Sequence, residues 1–218
     1  MDIRRKLLEA TAIVFAETGY RGATTRRIAL AAGVNEVSLF RHFGSKDALI
    51  REALSIAQPT PGALMLAANP VHPLRELTAW SIAQFHQIHA ARSIIRKSMG
   101  EMEEHPEISD LSTRCPRTGA EELTEYFGRL VRAGLADASA DARSAARMLM
   151  NAIFAEALTR DLRPHAYEKS VEQAMSTYVT LILRAVGVAG KPRRPARKSA
   201  AKSARQSTRE PARRNGRR

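Results

Sequence analysis

The 218-residue chain is predicted to be all-α, on three observations. Alanine and leucine recur through long stretches at intervals of three or four, which line apolar side chains along one helix face. Strand-like alternation is missing, and aromatic residues make up only 5% of the chain. Glycines and prolines fall between the periodic stretches and cut them into helix-length pieces.

Each element follows from its residues. Residues 3–18 place Ile3, Leu7, Leu8, Ile13 or Val14, and Phe15 at helical intervals, and Gly19 supplies a stop. Residues 25–32 suit a short second helix, capped by the hydroxyl of Thr24 or Thr25, and Gly33 breaks it. Asn35 can cap a third helix that runs to His42 or Phe43. After Gly44, Ser45 can cap a fourth over residues 46–57. Residues 59–73 carry four prolines and read as a connector. Pro73 suits the first turn of a long helix bearing Leu77, Trp80, Phe85 and Ile88, with a restart before Ile94 and a stop near His105-Pro106. Thr118-Gly-Ala-Glu121 has capping-box spacing and predicts a helix from there to Ala133. Two more are predicted, over residues 140–159 and 165–186, both with broad apolar faces.

The net charge of +13 is concentrated at one end. Residues 191–218 hold 12 Lys and Arg against one acid, Glu210, which leaves 23 basic and 21 acidic residues in 1–190. With its Lys/Arg/Ala/Pro/Ser composition and no apolar period, segment 190–218 cannot build a core and is expected to be disordered. Its charge suits nonspecific contact with phosphates. The single cysteine, Cys115, cannot form an internal disulfide. The N-terminus lacks the pattern of a secretory signal, and no apolar run approaches the roughly 20 residues of a membrane span. A cytoplasmic protein with no membrane partner is expected. No glycine-rich phosphate loop, nucleophile elbow or strand to carry one is present, so no catalytic residue and no enzyme activity are expected. His86 and His89 lie three apart, with His105 and Cys115 downstream, but such pairs arise by chance in helices. Neither a metal nor a cofactor is expected.

The second and third helices have the spacing of a helix-turn-helix. Ala29 is small enough for the helices to cross closely, Gly33 permits a sharp turn, and Ile28, Val34, Leu39 and Phe43 close the inner face. The outer face of the third helix then carries Glu36, Val37, Ser38 and Arg41 toward a DNA major groove. Thr24, Thr25 and Arg26 stand at a helix N-terminus, where free N–H groups favour an anion, and His42 and Lys46 flank the other end.

Residues 15–49 resemble the N-terminal domain of tetracycline-repressor-like (TetR/AcrR) regulators. The matching features are Phe15-Ala16-Glu17, Gly19-Tyr20, Thr24-Thr25, Ile28-Ala29, Ala32-Gly33-Val34, Leu39-Phe40, His42-Phe43 and Ser45-Lys46. The resemblance implies phosphate contacts from Thr25, Phe40, His42 and Lys46. It also places Asn35, Glu36, Val37, Ser38 and Arg41 near bases or adjacent phosphates. Phe40 stands where that family commonly has tyrosine, and Val37 where glycine is frequent at or beside the position. Glu36 invites two readings. It can favour the positive end of the helix dipole, worth about 0.3–1 kcal/mol, or accept a hydrogen bond from cytosine N4.

The expected architecture is an N-terminal three-helix helix-turn-helix domain in residues 1–58 and a helical effector-binding and dimerisation domain in 59–189, followed by the basic tail, 190–218. The resemblance implies a ligand-responsive homodimeric repressor on a double-stranded DNA operator, associated with the bacterial nucleoid when bound and dimerising through its last two long helices. A nonspecific DNA-coating protein driven by the tail is the alternative. Trp80, Phe85, Met99, Met102, Tyr126, Met148 and Phe154 are candidates for lining the pocket of a small-molecule effector, although residues at such spacing also serve as core.

Overall fold

The computed structural model describes residues 2–57, 65–106 and 109–188, the side chains of 109–115 excepted. The predicted tail and most of the proline-rich connector lie outside the described residues, and so does the Cys115 side chain. Among the described residues all regular structure is helical.

The first four helices are α1 (Ile3–Gly22), α2 (Thr25–Ala32), α3 (Glu36–Phe43) and α4 (Lys46–Ala57). Each start has a local cause. The Thr24 hydroxyl accepts from Arg27 N at 3.3 Å, Asn35 Oδ1 from Val37 N at 2.9 Å, and Ser45 Oγ from Ala48 N at 3.1 Å. Gly33 ends α2 in the left-handed region, at φ 66° and ψ 35°, where a side chain would be strained. Gly19, at φ 71° and ψ −172°, breaks the path of α1, so its last residues turn away from the main axis. Leu7, Phe15, Ile28, Leu39, Leu49, Ile50 and Leu54 form the shared core, fully out of water, with Val34 and Phe43 packed at its edge. Truncating one of these leucines to alanine costs about 2–5 kcal/mol, a large share of a small domain's stability.

The remaining helices are α5 (Pro73–Ala90), α6 (Arg92–Glu101), α7 (Ser109–Arg132), α8 (Ala142–Thr159) and α9 (Val171–Ala185). They enclose a second core of Leu77, Trp80, Leu123, Tyr126, Leu149, Ile153, Met175 and Val179. Several of its polar members are paired. Trp80 Nε1 donates to Glu122 at 3.0 Å and Tyr126 Oη to Glu76 at 2.6 Å. Buried Glu156 takes Arg160 at 2.6 Å and the Tyr178 hydroxyl at 2.6 Å, so its charge is not left uncompensated. Helix α6 packs along α1, and α7 touches α4, so the two cores share a junction.

Two predicted starts are corrected. Thr118 is not an N-cap: α7 begins at Ser109 and passes through Pro116. A capping residue must lie outside the helix with extended backbone, whereas Thr118 lies well inside α7, a helix that packs against α6 and α8. The last helix starts at Val171 rather than His165. Pro164–Ala166 form a single 3-10 turn, and Ser170 with Gln173 builds a reciprocal capping box at 3.2 and 3.3 Å.

Candidate nucleic-acid interface

The outward face of α3 is built by what the inward face buries. Leu39 is fully buried and fixes the helix rotation, so Val37, Phe40, Arg41 and His42 come out to solvent. Glu36 and Ser38 are half-buried at the flank. On α2 and its cap, Thr24 and Arg26 are exposed and Thr25 is half-buried, while Asn35 is exposed at the turn. Lys46, at the start of α4, is half-buried. None of the eleven predicted contact residues is buried. Arg26, Arg27 and Arg41 make no ion pair among the described residues, which leaves this face cationic.

Five of the eleven already have structural partners. Thr24 and Asn35 spend their side-chain oxygens as caps. Glu36 accepts the hydroxyl of Thr25, tying the first turn of α3 to the first turn of α2. A hydroxyl has one proton to donate, so Thr25 cannot give it to a phosphate while Glu36 holds it. This bond joins residues eleven apart and gives Glu36 a third role that spacing did not suggest. Lys46 donates to the Tyr20 carbonyl at 2.6 Å and lies 4.4 Å from the centre of the Tyr20 ring. Burial of its ammonium lowers its pKa, against the opposing attraction of Asp47 and Glu101.

Tyr20 is the hub of the junction between the two cores. Its hydroxyl donates to Asp47. Its backbone N–H donates to Glu101 Oε1 at 3.1 Å, and its ring lies over His105 with centroids 3.7 Å apart. Beside it, Arg21 pairs with Glu104 at 2.8 Å. The end of α6 is thereby clamped to the DNA-facing unit. Sequence spacing gave no sign of it, since Tyr20 and Glu101 stand 81 residues apart. Glu101, Glu104 and His105 bring potential ligand atoms within 4.8 Å of one another. Both carboxylates already serve Tyr20 or Arg21, however, and Lys46 lies close by. His86 and His89 sit elsewhere, both against Phe85, with His89 Nδ1 2.9 Å from the Ala157 carbonyl oxygen.

The seven candidate pocket residues differ in burial. Trp80, Phe85 and Tyr126 are core, Met102 and Phe154 are half-buried, and Met99 and Met148 are exposed. A groove of about 1040 Å³ between α5 and α9 is lined by none of them. Among the described residues, no helix is long and apolar enough to cross a membrane.

Comparison with known proteins agrees with this geometry. Residues 7–53, which span the α1–α4 core, match the model of "Bacterial regulatory proteins, tetR family". The chain is 31% identical over 116 residues to the HTH-type transcriptional repressor KstR2 of Mycobacterium tuberculosis. That match covers 51% of this chain and 58% of KstR2, so it leaves over two fifths of the relative unmatched. A TetR transcriptional regulator from Agrobacterium tumefaciens superposes with a TM-score of 0.68 at 19% identity, over 84% of this chain and 92% of its own. A TetR-family regulator from Mesorhizobium loti does so with 0.67 at 17%, over 85% and 97%. At these identities the two structures speak for the fold. Residues 7–53 thus carry the sequence pattern of the tetR family of bacterial regulatory proteins, and the helical layout around them is the fold of its solved members.

Proposed function

We propose that the chain is a sequence-specific DNA-binding transcriptional regulator, a ligand-responsive homodimeric repressor working in the cytoplasm. The observation that carries this reading is the outward face of α3, where Val37, Phe40, Arg41 and His42 stand clear of a helix locked by Leu39. A helix presented in this way fits the major groove, where apolar and charged side chains meet base edges. Val37 suits a thymine methyl, and Arg41 suits a guanine edge or a phosphate. Arg26 and Arg27 flank it and meet the backbone, which positions the helix without reading sequence.

Two copies would place two such helices on successive turns of DNA, about 34 Å apart. Helices α8 and α9 would supply the dimer contact, and they expose Met148 and Leu181, apolar side chains that a partner would cover. The junction around Tyr20 would transmit the state of the C-terminal helices to the DNA-facing unit. A ligand that prefers one arrangement then changes operator affinity by its differential binding alone. KstR2, the relative named above, is itself described as a transcriptional repressor.

The test is selection of bound fragments from a random DNA pool by the full chain. A pseudo-palindrome with half-sites one helical turn apart is the expected product, and an unenriched pool would overturn the reading. The 12 Lys and Arg of residues 191–218 favour a second reading, in which the chain coats DNA without sequence preference. Under the first reading, removing residues 190–218 flattens the salt dependence and keeps the preferred site. Under the second, it abolishes DNA binding.

A further inference from the structure

An open groove runs between the N-terminal half of α5 and the C-terminal half of α9. Its volume of about 1040 Å³ is at the upper end of what small-molecule sites occupy, roughly 300–1,000 Å³. Leu74, Ala79 and Ile82 from α5, Leu183 from α9 and Val188 just beyond its end make its walls apolar. At its edge stand Arg75 and Arg184, neither of which makes an ion pair among the described residues. No aspartate or glutamate lines it. The neighbouring acid, Glu76, is already occupied, accepting from Val71 N at 3.0 Å, His72 N at 2.7 Å and Tyr126 Oη at 2.6 Å.

One wall residue is also unsatisfied. Thr11, Thr18, Thr124, Thr159, Thr177 and Thr180 each donate their hydroxyl to the carbonyl four residues earlier in their helix. Thr78, which lines the groove, keeps its hydroxyl out of water without any partner. A buried polar group left so costs about 1–3 kcal/mol.

We propose that this groove binds an amphipathic carboxylate, an organic acid whose aliphatic body lies against Leu74, Ile82, Leu183 and Val188 and whose head meets Arg75 and Arg184. Apolar area supplies most of the binding and the guanidinium groups select the charge, because a planar fork matches the two oxygens of a carboxylate. A phosphate head fits less well. The backbone N–H groups of Val71 and His72, which a helix start offers to phosphate, are taken by Glu76. A carboxylate bound here would act as the effector only if the chain is a ligand-responsive regulator, so that step rests on the proposed function, whereas binding itself does not.

The experiment is calorimetric titration of the full-length protein with decanoate, 1-decanol and decyltrimethylammonium, each below its aggregation limit. Decanoate is expected to bind at least tenfold more tightly than decanol, and the cation not at all. Arg75→Gln with Arg184→Gln should abolish the preference for decanoate over decanol while decanol binding stays. Ala79→Trp, which fills the groove from an exposed position, should remove both ligands while thermal unfolding shows the protein still folded. Equal affinities for decanoate and decanol, or decanoate binding unchanged by Ala79→Trp, would overturn the proposal. So would a second copy of the chain occupying the groove, seen as weakened self-association of the Ala79→Trp variant together with no decanoate binding to the native chain. Operator affinity measured with and without decanoate reports separately on the regulatory reading.

Discussion

Replacing Gly19 with alanine perturbs two things at once at the junction of the two cores. The backbone there sits at φ 71° and ψ −172°, a region nearly closed to residues with a Cβ, and holding alanine in it costs about 1–3 kcal/mol. The new Cβ would also stand 2.3 Å from Glu101 Oε1, so the carboxylate must move away. Tyr20 N–H then loses its acceptor. A hydrogen bond to a charged group is worth about 1.5–3 kcal/mol, and the lower end applies because water can reach half-buried Tyr20. The smaller entropy of the unfolded alanine chain offsets under about 1 kcal/mol. The sum is a loss of about 1.5–4.5 kcal/mol, or at least ~3 °C in Tm for a protein of this size. Urea and thermal unfolding of Gly19→Ala measure it, and Glu101→Ala isolates the hydrogen-bond share at about 1–2 kcal/mol. A Gly19→Ala protein within about 0.5 kcal/mol of the native chain would refute the reasoning, since surface changes of no consequence fall in that range. Equal losses in the two variants would show that the glycine conformation carries no strain.

Three further outcomes are expected. Glu36→Ala and Thr25→Val should each destabilise the DNA-facing unit by about 1–2 kcal/mol, and the double variant should cost no more than either. Additive losses in urea denaturation would mean that the two residues do not act through one bond. Arg41→Ala should weaken DNA binding and reduce the slope of log K against log salt by about 0.9 for each phosphate that Arg41 neutralises; an unchanged slope would mean that Arg41 meets no phosphate. Burial, with the hydrogen bond to Glu156, pushes the Tyr178 hydroxyl up to about 12. The unfolded chain releases that proton near pH 10, before the native one does, so the unfolded state binds fewer protons between pH 10 and 12 and stability falls as pH rises through that window. Tyr178→Phe should flatten that fall in alkaline unfolding curves, and a parallel loss in both proteins would contradict the assignment.

What could be read from residues alone was mostly local. Thr24, Asn35 and Ser45 cap the helices they precede, and Gly33 turns where a positive φ was needed, because these effects act over three or four residues. The same logic misplaced two starts. Thr118 has the right spacing but lies inside a helix, and the start expected at 165 passes over the Ser170–Gln173 box that the structure uses. Bonds between residues far apart in the chain left no local trace, so Thr25–Glu36 and Tyr20–Glu101 emerged only from the fold. The large apolar side chains expected to line a pocket do not line the α5–α9 groove. Burial draws Trp80 and Tyr126 into the core, whereas the α5–α9 groove is walled by smaller residues and edged by arginines.

The outward face of α3 is offered as a reader of sequence, and the most direct test is the ratio of two affinities at physiological salt. The site recovered from a random pool and an unrelated duplex of equal length are titrated with the full chain under identical conditions. A specific regulator is expected to prefer its site by about 10³-fold or more. A ratio near one would contradict the account, leaving the basic tail as the whole basis of DNA binding.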